Sequence, residues 1–208
     1  MKIDEIIDYF FEASRIREIG RYGHLQEKFR NNVAEHCFHM IILADKLIDH
    51  YKLDLDFRKC VRYIYLHDWG EIGMTSDIVA VDKSKGNNRE IAKQQEFERA
   101  KQSLSRFGLD NDIKDLRDYD NLETEEAKFV MAIDKLEGPL FIVKNGLDNI
   151  IDSCIVDGEF KNSSYDSVEH FVDFEVNFPK RAIALYPPLK DFAEAIMERL
   201  KKQVVKFK

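Results

Sequence analysis

"YLHDWGEIGMTSDI", residues 65–78, sets His67 beside Asp68, then Glu71 and Asp77, among Tyr, Leu, Trp, Ile and Met. Carboxylates this close repel one another. Holding them beside an imidazole in apolar surroundings is costly unless a cation or hydrogen bonds offset it. Neighbouring residues on a helix project about 100° apart, so His67 and Asp68 can face one ion only near a helix end, where the backbone deviates. Imidazole with carboxylate suits Zn, Mn, Fe or Co without selecting tightly among them. By itself the pair also reads as a helix-end hydrogen bond.

On either side of this stretch, helical periodicity dominates. Residues 3–19 place Ile3, Ile6, Ile7, Phe10, Phe11 and Ile19 at mostly three- and four-residue steps, the pattern of a helix with one apolar face. A second helix is expected over Val33–Tyr51, capped by Asn32 with Glu35 three residues on. A third covers about Phe57 to His67, so the His-Asp pair falls at its end. "VAVDKSKGNN", residues 79–88, breaks the pattern and reads as a surface loop, followed by a long polar helix from Asn87 to about Phe107 with Gly108 as its C-cap. Thr124 starts a helix through Val143, bent or interrupted at Gly138-Pro139. Two further helices are expected at about 165–185, with a kink or break at Pro179, and at 188–204. Strand-like alternation is scarce, and neither a repeat nor a composition shift argues for a cut. The chain reads as all-α and as a single domain over residues 1–208.

The net charge of −7 argues against a nucleic-acid polymer as partner, since such grooves depend on clustered Lys and Arg. A small anion is still compatible, because Arg15, Arg17, Arg21, Lys28 and Arg30 outnumber Glu18 and Glu27 in one local stretch. Cys37, Cys60 and Cys154 are widely spaced among apolar residues, as buried thiols of a reducing compartment are. The N-terminus "MKIDEIIDYF" lacks the basic-then-apolar order of a signal peptide, and no apolar run reaches the roughly 20 residues of a membrane span. A cytoplasmic protein with no membrane partner is the expectation.

Three residues strengthen the case for a metal at His67-Asp68. His36 sits one turn inside the well-capped second helix. Asp134 is a charge amid Phe129, Val130, Ile133 and Leu136, costly to bury unless paired or bound to a cation. Glu71 follows His67 by one helical turn. His36, His67, Asp68 and Asp134 thus form a four-ligand set from three helices, with room for water or substrate oxygens. His39 could face the side of His36, though a histidine in a mostly apolar helix more often bonds to a neighbour. His24, His50 and His170 sit among polar residues and read as solvated, with a place at the phosphate patch as the lesser reading for His24.

The order His36, His67-Asp68, Asp134 resembles the HD-domain metal-dependent phosphohydrolases, an all-helical superfamily. "HDWGEIGMTSDI", with its acid six residues beyond Glu71, resembles the branch of bacterial 5′-deoxynucleotidases and related eukaryotic HD-domain proteins. "RNNVAEH" and "EEAKFVMAID" also fit that branch, and the likeness covers roughly two thirds of the chain. It implies an HD-domain helical bundle, with a motif core at about 6–147 and additional C-terminal helices at about 148–208. It also implies one divalent ion (Mn, Co, Zn, Fe or Mg) held by His36, His67, Asp68 and Asp134. Glu71 would be the acid-base residue, and Asp77 would touch the sugar or the leaving oxygen. Arg21 would bind phosphate, and Tyr22 would pack on the sugar where the branch carries tryptophan. The implied activity is a 5′-nucleotidase converting (deoxy)nucleoside monophosphates to nucleoside and phosphate, and the implied assembly is a homodimer. The branch often has proline shortly after the acid at Asp77; here the chain reads Ile78 to Lys83 without one, so the base pocket does not carry over.

The chemistry agrees with this assignment independently. A bound divalent ion lowers the pKa of its water from 15.7 towards about 7 and polarises a phosphoryl oxygen. Arg21 offers phosphate a planar fork that lysine lacks. Glu71, close to Asp68 and Trp69, is suited to passing a proton. Three alternatives stay open: an HD phosphohydrolase for another phosphate ester or a nucleotide pyrophosphate, a di-iron oxygenase, which would need further histidine ligands, and a metal-containing regulatory module without turnover.

Overall fold

Asn32 accepts the backbone N–H of Glu35 at 3.0 Å, and helix α2, Val33–Tyr51, starts there as its sequence requires. Asp56 likewise accepts the N–H groups of Arg58 and Lys59 and opens α3, Phe57–Leu66, with His67 at its C-terminal cap. These belong to a computed structural model that describes residues 2–74 and 88–204. Within those residues the chain is all-α apart from two very short hairpins. Asp77 and nearly all of the expected 79–88 loop, Lys83 included, lie outside the described residues.

After His67 the chain makes a 3-10 turn at Trp69–Glu71, and α4, Asn88–Ser105, holds that turn. The Trp69 indole donates to Ser103 Oγ at 3.2 Å, Tyr9 stacks on Trp69 at 5.2 Å, and Arg99 Nε donates to the Gly70 carbonyl at 2.7 Å. Gly70 permits the approach: a Cβ there would run into the carbonyl oxygen of Glu96 in α4. Gly70→Ala is therefore expected to cost on the order of 1–3 kcal/mol by displacing backbone in a packed region. Urea unfolding checks this; an unchanged midpoint would show that α4 can give way.

The longest helix, α6, is Glu125–Asn145, with Thr124 accepting the N–H of Ala127 at 3.1 Å. Of the bend or interruption expected at Gly138-Pro139, the interruption is absent: the helix continues through both residues. Proline removes only the bond to the carbonyl of Lys135. Packing of α6 against α2, α3 and the C-terminal helices outweighs that single loss. Phe129, Ile133 and Leu136 on α6 are fully buried, in one apolar cluster with Met40 of α2, Tyr63 and Ile64 of α3, and Leu200 near the C-terminus.

Two helices have no counterpart in the sequence reading, α5, Asp110–Asp120, and α7, Leu147–Ser153. The first is too polar for a clear apolar stripe and is tied to α3 by Arg62, which donates to Asp112 at 2.9 and 2.6 Å. The C-terminal region divides as expected: α8, Val168–Asn177, ends just before Pro179, and α9, Lys180–Leu185, and α10, Lys190–Val204, follow.

The N-terminal expectation needs correcting. The helix α1 covers Ile3–Ser14, a 3-10 turn occupies Arg15–Glu18, and no residue of α1 is buried. Phe10 and Phe11 are 63% and 62% exposed. Periodicity shows that apolar side chains share a side, not that the same chain covers it. Beyond that turn, β1, Gly20–Arg21, pairs antiparallel with β2, Asn31–Asn32, placing Arg21 opposite Asn31 at the start of α2. The second hairpin joins β3, Ile155–Val156, to β4, Glu159–Phe160. Among the described residues no helix is long and apolar enough to cross a membrane.

Candidate metal centre

One turn into α2, His36 is buried to 1% exposure, and its Nε2 lies 3.2 Å from Asp134 Oδ1 of α6. The His67 ring, at the end of α3, stands 5.4 Å from that of His36, centroid to centroid. Ligand atoms of His36, His67 and Asp134 all lie within 4.8 Å of one another, close enough to share one ion. Asp68 reaches this group through His67, its Oδ2 lying 3.1 Å from Nε2 of that ring.

The proton positions favour a cation between these side chains. His67 Nδ1 donates to the carbonyl of Ile64 at 2.6 Å, so Nε2 is the nitrogen turned towards Asp68; it is buried, with Asp68 Oδ2 at 3.1 Å but out of line for a hydrogen bond. His36 Nδ1 lies 2.7 Å from Glu137 Oε2, a carboxylate that can only accept, which leaves Nε2 to face Asp134. Two imidazole nitrogens and a carboxylate oxygen, with a second carboxylate adjoining, suit a borderline divalent ion. Charges in the site tell the same story. Burial works against the charged form of His67, but Asp68 first and Asp134 after it raise its pKa to about 9. Burial pushes the other way for Asp68 and Asp134, yet His67 beside the first and Lys135 and His36 beside the second hold both carboxyls below the usual range. A proton thus occupies a position where the surroundings favour positive charge, and metal binding would release it.

Glu137, absent from the sequence reading, organises the centre from behind. It is 2% exposed; its Oε2 accepts from Arg21 Nη1 at 3.0 Å and from His36, while its Oε1 is 2.9 Å from His39 Nδ1. Burial would raise its pKa, but His36 and Arg21 hold it down at about 2, so the carboxylate stays charged. A carboxylate fixing the far nitrogen of a ligating histidine orients the ring and raises its basicity. The signal lay in the sequence: Glu137 follows Asp134 by three residues in an apolar helix, hence on the same side.

These groups open on a cavity of about 230 Å³, lined by His36, His67, Asp68 and Asp134 and also by Arg21 and Tyr22. The Tyr22 ring stacks on Phe141 at 4.4 Å, and Gly138 leaves space for its hydroxyl. Lys135, 2.5 Å from Asp134, and Lys93, which donates to the Asp120 carbonyl at 2.7 Å, add cations to the wall. Neither was singled out by sequence. Glu96 and Asp120 line the cavity as well. Glu71 is buried at 2% exposure in the turn after Asp68, but it is not among the lining residues. His24, which reads as solvated in the sequence, is half-buried and lines the cavity.

The helix α8 and the residues flanking it supply another part of the wall through Tyr165, Phe174, Glu175 and Phe178. Burial pushes the Glu175 carboxyl up to about 7 from its ordinary 4.5, against the opposing hydrogen bond from Tyr165. The folded chain thus holds this proton more tightly than the unfolded chain does. Its contribution to stability is fully present below about pH 4.5 and is lost as pH rises to about 7. Glu175→Gln is expected to flatten the fall in stability over this window, by up to about 3 kcal/mol between its ends. Urea midpoints at pH 5 and pH 8 measure it; parallel pH profiles for both proteins would refute it.

Comparison with known proteins agrees with this geometry. The family model described as HD domain matches residues 13–173. A search of curated proteins gave no match. Among solved structures, a predicted metal-dependent phosphohydrolase from Magnetospirillum magnetotacticum MS-1 is similar at 17% identity and a TM-score of 0.64, over 97% of this chain and 93% of that one. A conserved hypothetical protein from Pyrococcus furiosus is similar at 17% identity and a TM-score of 0.62, over 92% of this chain and 99% of the other. At that identity the likeness concerns the fold; the family match spans most of the chain, including His36, His67, Asp68 and Asp134, and the protein belongs to the HD domain family.

Proposed function

We propose that the protein is a divalent-metal-dependent phosphohydrolase acting as a 5′-nucleotidase on (deoxy)nucleoside monophosphates. The observation that carries this reading is the convergence of His36, His67 and Asp134 in a cavity whose wall also bears Arg21, Lys93 and Lys135. The structurally similar Magnetospirillum protein, described as a metal-dependent phosphohydrolase, supports the reaction class.

In this reading His36, His67, Asp68 and Asp134 hold one divalent ion, which when bound supplies Lewis acidity towards a phosphoryl oxygen and an activated water. The protein's own groups do the rest. Glu137 holds the Arg21 guanidinium in the cavity wall, pre-set for a planar, charge-assisted contact with phosphate. Lys135 and Lys93 offset the negative charge that a phosphate brings into an acidic site. Tyr22, with its ring fixed against Phe141, forms the apolar side on which a sugar rests. Proton transfer is assigned to Glu71, buried one short turn beyond Asp68, and to Asp77. We read residues 1–208 as one HD unit, and as a homodimer in which exposed Ile3, Phe10 and Phe11 of α1 supply apolar contact surface.

The test is a panel of nucleoside monophosphates, other phosphate monoesters and nucleoside triphosphates, assayed after chelation and reloading with Mn, Co, Mg or Zn. Inorganic phosphate from 5′-monophosphates, restored by metal and lost in Glu71→Gln, is the expected pattern. Pyrophosphate from triphosphates would move the reading to a nucleotide pyrophosphohydrolase. Metal retention without turnover of any substrate would favour a binding module.

A further inference from the structure

The cavity wall formed by α8, the residues flanking it and the segment after β1 has a chemistry that phosphate transfer does not need. Tyr22, His24, Tyr165, Phe174 and Phe178 form a continuous aromatic arc, with successive centroids 6.2, 5.7, 5.7 and 5.2 Å apart. Set in this arc is one acid, Glu175, 8% exposed and lining the same cavity. Tyr165 donates to its Oε1 at 2.6 Å, the single hydrogen bond to this carboxyl among the described residues. Among the described residues no charged group offsets its burial. A carboxyl kept in aromatic surroundings at such cost, and fixed by a tyrosine, calls for a ligand.

We infer that this arc is a nucleobase subsite, in which His24, Tyr165, Phe174 and Phe178 take the faces of the base, next to the sugar at Tyr22, and Glu175 accepts a hydrogen bond from an exocyclic amino group. The inference rests on the nucleoside monophosphate reading above, whose phosphate would lie at the metal end of the cavity. It adds a substrate class: adenine, guanine and cytosine carry the amino donor, whereas thymine and uracil do not. The N3–H of the latter two stands between carbonyl oxygens that a buried acceptor repels. Stacking tolerates any base, so discrimination falls to the one polar group. A site built around a hydrogen bond rejects the analogue lacking its donor more strongly than a purely apolar pocket does. Sequence offered a faint signal in "FVDFEVNF", residues 171–178, where Glu175 is an acid among Phe and Val, the same argument that singled out Asp134.

Calorimetric binding of free nucleosides to the 208-residue chain at pH 8.5, where the Glu175 carboxyl is ionised and can only accept, tests the subsite without requiring metal or hydrolysis. Deoxyadenosine, deoxyguanosine and deoxycytidine should bind at least tenfold more tightly than thymidine. Glu175→Met should reduce that ratio to about threefold or less, with circular dichroism confirming the fold. Tyr165→Phe keeps the ring and the acid but frees the carboxyl from its anchor, and an intermediate ratio is expected. The same order in kcat/KM for the monophosphates would join the two readings. Ordered nucleoside binding with no phosphate release would remove the nucleotidase and keep the subsite. Equal binding of thymidine by the wild type, or no binding of any nucleoside, would overturn the subsite whatever the phosphate assay shows.

Discussion

Asp134→Asn should abolish metal retention and lower phosphate release by at least a hundredfold, while leaving the helical content unchanged. The carboxylate is the one acidic member of the three-residue group whose ligand atoms lie within 4.8 Å of one another, and it faces His36 Nε2 at 3.2 Å. Asparagine keeps the shape but removes the charge that a divalent ion needs most in a site with two neutral imidazoles. The loss should exceed the 10–100-fold typical of groups that only support a ligand. Equilibrium dialysis with Mn or Zn, beside circular dichroism, separates this from unfolding. Full metal occupancy in a folded variant would show that Asp134 is not a ligand.

The second large effect concerns Glu137, which touches His36, His39 and Arg21 without belonging to the ligand set. Glu137→Gln is expected to weaken metal binding about 10–100-fold, because the His36 ring loses the charged acceptor that fixes its orientation. Arg21 also loses its partner inside the wall, so the KM for a phosphate substrate should rise in the metal-saturated variant. A purely structural role would change the melting temperature and leave metal affinity in place. Glu137→Asp, which restores the charge on a shorter stem, should recover part of the affinity. No recovery, together with an unaltered Kd in Glu137→Gln, would assign Glu137 to packing alone.

How legible this protein is in its sequence depends on whether each feature is local. Asn32, Asp56 and Thr124 cap α2, α3 and α6 through bonds to residues two or three positions away, and those helix starts follow directly from sequence. The break at Pro179 is local too. The continuity of α6 through Pro139 is not, since it depends on helices packed around it. The exposed face of α1 is hidden for a similar reason: an apolar stripe looks the same whether or not the chain covers it. At the centre, Asp134 stands out as a costly charge in an apolar pattern and His36 by its place one turn inside a well-capped helix, and the fold brings both together with His67. Glu137 and Glu175 are likewise acids among apolar residues but belong to no known motif spacing. Lys93, Lys135, Glu96 and Asp120 are ordinary charges in polar segments, and only the tertiary fold gathers them at one cavity.

The most direct measurement is anomalous diffraction at the absorption edge of the metal, from crystals grown with Mn or Zn. The expected result is one peak per chain within ligand distance, about 2.0–2.2 Å, of the imidazole nitrogens of His36 and His67 and of an Asp134 oxygen. A peak bound elsewhere, or no peak between these side chains at saturating metal, would contradict the assignment.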